Sequence, residues 1–247
     1  MAEHSQADTP QIGIIGECMV ELFDQGDGQC KRGFGGDTLN TAVYLRRCAQ
    51  DAVGVHYVTA LGDDPLSETM LAQWRAEGLH TDTVEQTAGS VPGLYMIQTD
   101  DEGERSFLYW RDQAPVKKLL QTANADTLSA QLLSFDWLYY TGITLAVLEP
   151  EGREKLLALL QQFRAQGGRV VFDVNYRPRL WAGDDAQHWI SEAYHCCDLA
   201  LPSADDEADL WGNNDPHATL QRLEQFGCSE IVPVSYTHLT LPTICSV

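Results

Sequence analysis

The segment "EPEGREKLLALLQQFRAQGGRVVFDVN", residues 149–175, decides the fold class. It opens with Glu149 and Glu151, where a helix dipole favours negative charge. Its leucines recur at helical spacing, and Gly167-Gly168 supplies a stop. A short, almost wholly apolar run follows at once, which suits a strand covered on both faces.

The same alternation extends in both directions. "QIGIIGE" (11–17), "HYVTALG" (56–62), "DWLYYTG" (136–142), "CDLALP" (197–202) and "EIVPV" (230–234) read as further buried strands. "DTLNTAVYLRRCA" (37–49), "LSETMLAQWRAEG" (66–78) and "ATLQRLEQFG" (218–227) read as helices, the last two closing on glycine. Strands alternating with helices predict an α/β architecture with a parallel sheet between helical layers.

Two stretches break the rhythm. Residues 20–36 are Gly-rich and polar, and "SVPGLYMIQTDDEGERSFLYWR" (90–111) reads as two strands around "DDEG". Together they predict a small sheet projecting from the main body as a lid. The division is therefore residues 11–17, 37–89 and 112–234 for the core, and 18–36 and 90–111 for the lid.

Bulk composition excludes several classes. With 36 acidic and 16 basic side chains the formal charge is -20, a surface that repels nucleic acid. Any basic cluster in such a chain is informative about an anionic ligand. No apolar run is long enough for a membrane span, and the polar start lacks a signal-peptide pattern, so a cytoplasmic protein is expected. The seven cysteines show no C-x-x-C spacing and read as reduced, mostly buried thiols. The seven histidines show no H-x-x-x-H, and no G-x-S-x-G is present, which removes metal-hydrolase and serine-hydrolase readings.

Four stretches can carry chemistry. In "GFGGDTLNTA" (33–42), glycines precede a helix start, so backbone N–H groups, Asp37 and Asn40 can face one ligand. An ordinary turn with an N-cap fits it too. In "SFLYWR" (106–111), Phe107, Tyr109 and Arg111 share a strand face with Tyr95 across the turn. That face suits a polar anion, and equally an ordinary cross-strand aromatic pair with a solvated Arg. In "FDVNYRPRLW" (172–181), Asn175 and Arg177 follow a strand end, where open α/β sheets bind ligands. A structural Arg at a helix end is the alternative. In "PSADDEADLW" (202–211), Ser203 with Asp206 fits a capping box, with a place near magnesium as the other reading.

Taken in order, "IGECMVEL", "KRGFGGDTLNTAVYL", "VHYVTALGDD", "PGLYMIQTDDEGERSFLYWR", "YYTGITLAVL", "REKLLALL" and "VVFDVNYRPRLW" resemble the ribokinase-like (PfkB-type) sugar kinases over nearly the whole chain. The resemblance is nearest to the sugar-acid branch of that family. It implies ATP-dependent phosphorylation of 2-keto-3-deoxygluconate with magnesium, and a β lid closing on the sugar acid and serving self-association. Gly36, Asp37 and Asn40 would hold hydroxyls, and Tyr95, Tyr109 and Arg111 would come from the lid. Arg111 and Arg177 would meet the acid and keto end, and Asn175, Arg177 and Ser203 would lie toward the nucleotide phosphates. Ser203-x-x-Asp206 departs from the family's usual Asn-x-x-Glu. The family's Gly-Ala-Gly-Asp segment, whose Asp takes the hydroxyl proton, has no counterpart in the 247 residues. The catalytic base is therefore expected in a C-terminal part missing from this chain, leaving it inactive. A silent sugar-acid binder and a neutral-sugar (fructose-type) kinase are the alternatives. The uncharged end "SYTHLTLPTICSV" (235–247) resembles a translated sequencing adaptor and is expected to be foreign.

Overall fold

The computed structural model describes residues 9–100, 102–181, 185–212 and 215–234; the end at 235–247 lies outside them. Among the described residues, eleven strands and eight α-helices follow in chain order. The first part holds β1 (Gln11–Ile15), β2 (Met19–Gly26), β3 (Gln29–Gly35), α1 (Asp37–Ala49), β4 (Gly54–Gly62), α2 (Pro65–Ala76), β5 (Val84–Thr87), β6 (Leu94–Thr99) and β7 (Arg105–Trp110). The second holds α3 (Ala125–Leu132), β8 (Trp137–Thr141), α4 (Gly142–Val147), α5 (Pro150–Ala165), β9 (Arg169–Asp173), α6 (Ala186–His195), β10 (Leu199–Leu201), α7 (Ala204–Trp211), α8 (Pro216–Gln225) and β11 (Glu230–Ile231).

Seven strands form one sheet in the order β11-β10-β9-β8-β1-β4-β5, and every pairing in it is parallel. The α/β expectation holds. Successive residues of a strand face opposite layers, and the core divides accordingly. Ile14 and Tyr57 pack on one side with Leu39, Met70 and Trp74. Ile15 and Val58 pack on the other with Leu138, Leu160, Phe163 and Phe172. From β1 the chain moves outward to β4 and β5; from β8 it moves the opposite way to β9, β10 and β11. Neighbouring β1 and β8 therefore mark the point where strand order reverses, and ligands favour the crevice at the carboxyl ends there.

The remaining strands form a mixed sheet in the order β3-β2-β6-β7, with β2 and β6 parallel and both hairpins antiparallel. Tyr95 lies opposite Tyr109, as the turn position predicts.

The opening segment folds as read. Pro150 occupies the first turn of α5, and Gly167 takes φ 94°, the left-handed turn that ends a helix. Gly168 lies flat under the Phe163 ring; a Cβ there would stand 2.3 Å from it. Phe163 is thus the wedge between α5 and β9, fully buried. Phe163→Ala should lower unfolding free energy by about 3–5 kcal/mol in urea titration; a loss under about 1 kcal/mol would contradict this placement.

Candidate active site

The reversal point is held together at atomic distance. Gly36 sits where a Cβ would lie 2.2 Å from the Glu17 carbonyl, so α1 begins directly on the backbone leaving β1. Gly142 is as close to the Val174 carbonyl, at 2.1 Å, so the ends of β8 and β9 touch. Asp37, in the first turn of α1, joins these pieces. Its Oδ2 accepts from the Thr141 hydroxyl at 2.7 Å and the Asn175 side-chain amide at 2.8 Å. Asn175 reaches this position with φ 29°, a left-handed backbone that Asn tolerates better than most residues.

Short α4 starts from the same knot. Thr141 and Thr144 form a reciprocal capping box, and the Thr144 hydroxyl donates to the Ile15 carbonyl at 2.8 Å. At the other end of α4, Arg153 donates from Nε to the carbonyls of Leu145 and Leu148. Buried Arg153, stacked on Trp181 at 5.1 Å, thereby closes the helix.

Above these strand ends lies a cavity of about 910 Å³. Gly36, Asp37, Asn40, Tyr95, Tyr109, Arg111 and Arg177 all line it, so residues up to 141 positions apart in the chain (36 to 177) meet in one space. Asn175 stands behind Asp37 and does not line the cavity itself. Ser203 lies outside it and caps α7, accepting from the Asp206 backbone N–H at 3.2 Å. Arg177 is half exposed, donates to its neighbour's carbonyl at Tyr176 and lies 3.7 Å from Asp206. It pairs with no helix C-terminus in the described contacts.

Sequence reasoning missed four charged residues of the wall: Glu17, Asp112, Lys117 and Arg179. Glu17 had a readable signal, because it follows the first buried strand at its carboxyl end. Lys117 comes from a 3-10 turn, Pro115–Lys118, that carries no motif.

Glu17 and Arg111 set the electrostatics. The Arg111 guanidinium pairs with Glu17 Oε2, with side-chain exposures of 11% and 3%. Burial pushes the Glu17 carboxyl up to about 7, against the opposing pull of Arg111 and Lys117. Its other oxygen, Oε1, has no hydrogen-bond partner among the described residues. Arg111 also lies 5.8 Å from the Tyr109 ring centre. Tyr95 donates to Glu21 Oε2 at 2.5 Å, and burial with that bond pushes its phenol up. Asp173, behind the site, accepts from the Tyr139 hydroxyl at 3.1 Å and is raised by burial.

A parallel sheet whose reversal point opens into a cavity under a small mixed sheet defines a class of small-molecule enzyme. Residues 10–236 match the family described as pfkB family carbohydrate kinase, and the chain belongs to that family. It is 47% identical over 226 residues to 2-dehydro-3-deoxygluconokinase of Dickeya dadantii, covering 91% of this chain and 73% of that protein. The enzyme of the same name from Escherichia coli K12 is 46% identical over 224 residues, covering 90% and 72%. Among solved structures, 2-dehydro-3-deoxygluconokinase of Thermotoga maritima superposes with a TM-score of 0.77 at 21% identity, covering 91% and 70%.

The Glu17 value fixes a pH dependence. Glu17 is protonated below about 7 and ionised above it. Ionised, it neutralises Arg111; protonated, it leaves that charge to a ligand. A bound carboxylate raises Glu17 further. Affinity for a carboxylate-bearing ligand should therefore be full below about 7 and fall as pH rises through it, by up to about tenfold per unit. Calorimetric titration across that range checks this, and Glu17→Gln should flatten the profile.

Proposed function

We propose that the chain carries the sugar-acid site of an ATP-dependent kinase acting on 2-keto-3-deoxygluconate. The observation that carries the reading is the charge of the cavity wall. In a chain of net charge -20, Arg111, Lys117, Arg177 and Arg179 converge on one space, where they outnumber the carboxylates Glu17, Asp37 and Asp112. Identity of 46–47% to kinases named for this sugar acid supports the substrate class. Neutral-sugar kinases have no need of such a wall.

In this reading Gly36, Asp37 and Asn40 hold hydroxyls, with Asp37 kept rigid by Thr141 and Asn175. Tyr95, Tyr109 and Arg111 reach in from the small sheet, which acts as a lid over residues 18–36 and 90–111. Arg177 meets the carboxylate and turns toward the phosphates of ATP, with Asn175 and Ser203 on that side. The carboxylates of Asp173 and Asp206 are hard oxygen donors of the kind magnesium takes, and would hold it beside the phosphates. The outer face of β7 presents Leu108 and Trp110, 45% and 57% exposed, to a second copy of the chain.

Of the wall's three carboxylates Asp112 is exposed at the rim, while buried Glu17 is engaged by Arg111 and half-buried Asp37 by Thr141 and Asn175. Asp37 is held by two donors, and Glu17 is committed to Arg111 whenever it is ionised, so neither is set as a base on an attacking hydroxyl. We therefore infer that these residues bind the sugar acid without turning it over, and binding is the decisive measurement.

Titration with 2-keto-3-deoxygluconate should give saturable binding, and fructose should bind at least about tenfold more weakly. Arg111→Ala should weaken the sugar acid by about 2–3 kcal/mol while leaving fructose nearly unchanged. Equal affinity for both sugars would overturn the substrate assignment. Steady ADP release with ATP and the sugar acid would overturn the inference of silence and leave the substrate standing.

A further inference from the structure

The amino end of the parallel sheet, opposite the cavity, holds a second cluster of functional groups. His56 is near the start of β4 and pairs with Gly13 of β1. His80 is locked beside it through the backbone: Tyr57 donates to the His80 carbonyl at 3.0 Å, and His80 donates to the Val55 carbonyl at 2.8 Å. Asp82 follows two residues later, in the turn that the Val84 N–H closes by donating to the Thr81 carbonyl at 3.2 Å. The ligand atoms of His56, His80 and Asp82 all lie within 4.8 Å of one another.

The hydrogen bonds around His56 dictate which nitrogen is free. Gln11 Nε2 donates to the Thr9 carbonyl at 2.6 Å, which turns its Oε1 toward the ring. That Oε1 lies 2.8 Å from His56 Nε2 and must accept the proton there. In the neutral ring Nδ1 then carries a lone pair, and it faces Asp82 Oδ1 at 3.1 Å. Two acceptors in that position call for a proton or a metal ion between them.

A separation of 3.1 Å is that of adjacent ligands around an ion bound at about 2.0–2.1 Å. His80 brings a second imidazole, stacked on that of His56 with ring centres 4.5 Å apart and an interplanar angle of 18°, and it must turn to aim a nitrogen at the same ion. Two imidazoles and one carboxylate, with further positions open to water, are a zinc-type donor set; magnesium and calcium prefer oxygen throughout. Gln11 does for His56 what carbonyl groups do behind ligating histidines, fixing tautomer and ring orientation. Phe135 packs at 4.5 Å on the ring's other face and holds it in place. His80 and Asp82 are exposed, so an ion has access from solvent and the His80 ring has room to turn.

We propose that His56, His80 and Asp82 form a zinc-class divalent-metal site at the amino end of the sheet, with Gln11 orienting His56. The ion would cross-link β4 to the segment leading into β5.

Zinc chloride titrated into the metal-free chain against a chromogenic chelator tests the site. One equivalent should bind tightly and be lost in both His80→Ala and Asp82→Asn. Gln11→Leu should weaken it by about 10–100-fold. X-ray absorption at the zinc edge should show imidazole scattering and no sulfur. His80 and Asp82 are exposed, and far-ultraviolet circular dichroism in chelator should confirm that both variants fold. Zinc binding unchanged in the two variants, sulfur in the coordination shell, or no binding at micromolar zinc would each overturn the proposal. So would nuclear magnetic resonance showing both His56 ring nitrogens protonated with zinc present.

Discussion

Asp37 accepts hydrogen bonds from residues at the ends of two different strands while its own backbone starts a helix over the end of a third. Everything around the cavity depends on that convergence. Hydrogen bonds to a charged group contribute about 1.5–3 kcal/mol each, more than neutral ones. The helix dipole adds up to about 1 kcal/mol for an acid in the first turn. These gains are available only because Gly36 and Gly142 let the backbones touch, leaving no room for a Cβ at either position. The strands thus meet at a point where their unpaired ends, a helix N-terminus and a rigid carboxylate all face one cavity.

The sheet was legible where its strands are buried on both faces. β4 has every residue from Gly54 to Gly62 buried, and an unbroken apolar run is the sequence image of that environment. What escaped were elements whose cause lies elsewhere in the chain. β5 is "VEQT", with no apolar run; it is a strand because Thr59–Gly62 offers it an unfilled ladder edge. "GITLAV" continues the apolar β8 and looks like more strand, yet it forms α4. Thr141 and Thr144 cap one end, and Arg153, several residues on, closes the other. Neither effect appears in local periodicity. The parallel pairing of β2 with β6 had no local signal either, since their partners are 74 residues apart at Glu21 and Tyr95.

For the site, local patterns named the residues that point from regular elements. Strand alternation put Tyr109 and Arg111 on one face with Tyr95, and the cavity wall contains all three. The same patterns left undecided whether Arg111 was solvated. It is not: it is paired with Glu17, 94 positions away in the chain. Ser203 shows the opposite outcome, because its local signature as a cap describes what its hydroxyl does. A residue's type and spacing reveal its local hydrogen bonds well. They reveal little about which distant charge will share its burial.

That sharing governs how the cavity treats anions. A carboxylate next to a guanidinium ordinarily titrates below its usual range, yet Glu17 stands at about 7. From 4.5 the rise amounts to about 3 kcal/mol favouring the neutral acid. Burial therefore outweighs the attraction of Arg111, as expected when desolvating an ion costs several kcal/mol. The pair holds Arg111 in place without fully cancelling its charge near neutrality. In a protein this acidic, a fully ionised Glu17 would reduce the wall's positive potential, while a fully neutral residue would leave Arg111 buried without its counter-ion. A carboxyl poised near 7 gives the cation a partner when the cavity is empty and yields it when a ligand carboxylate arrives.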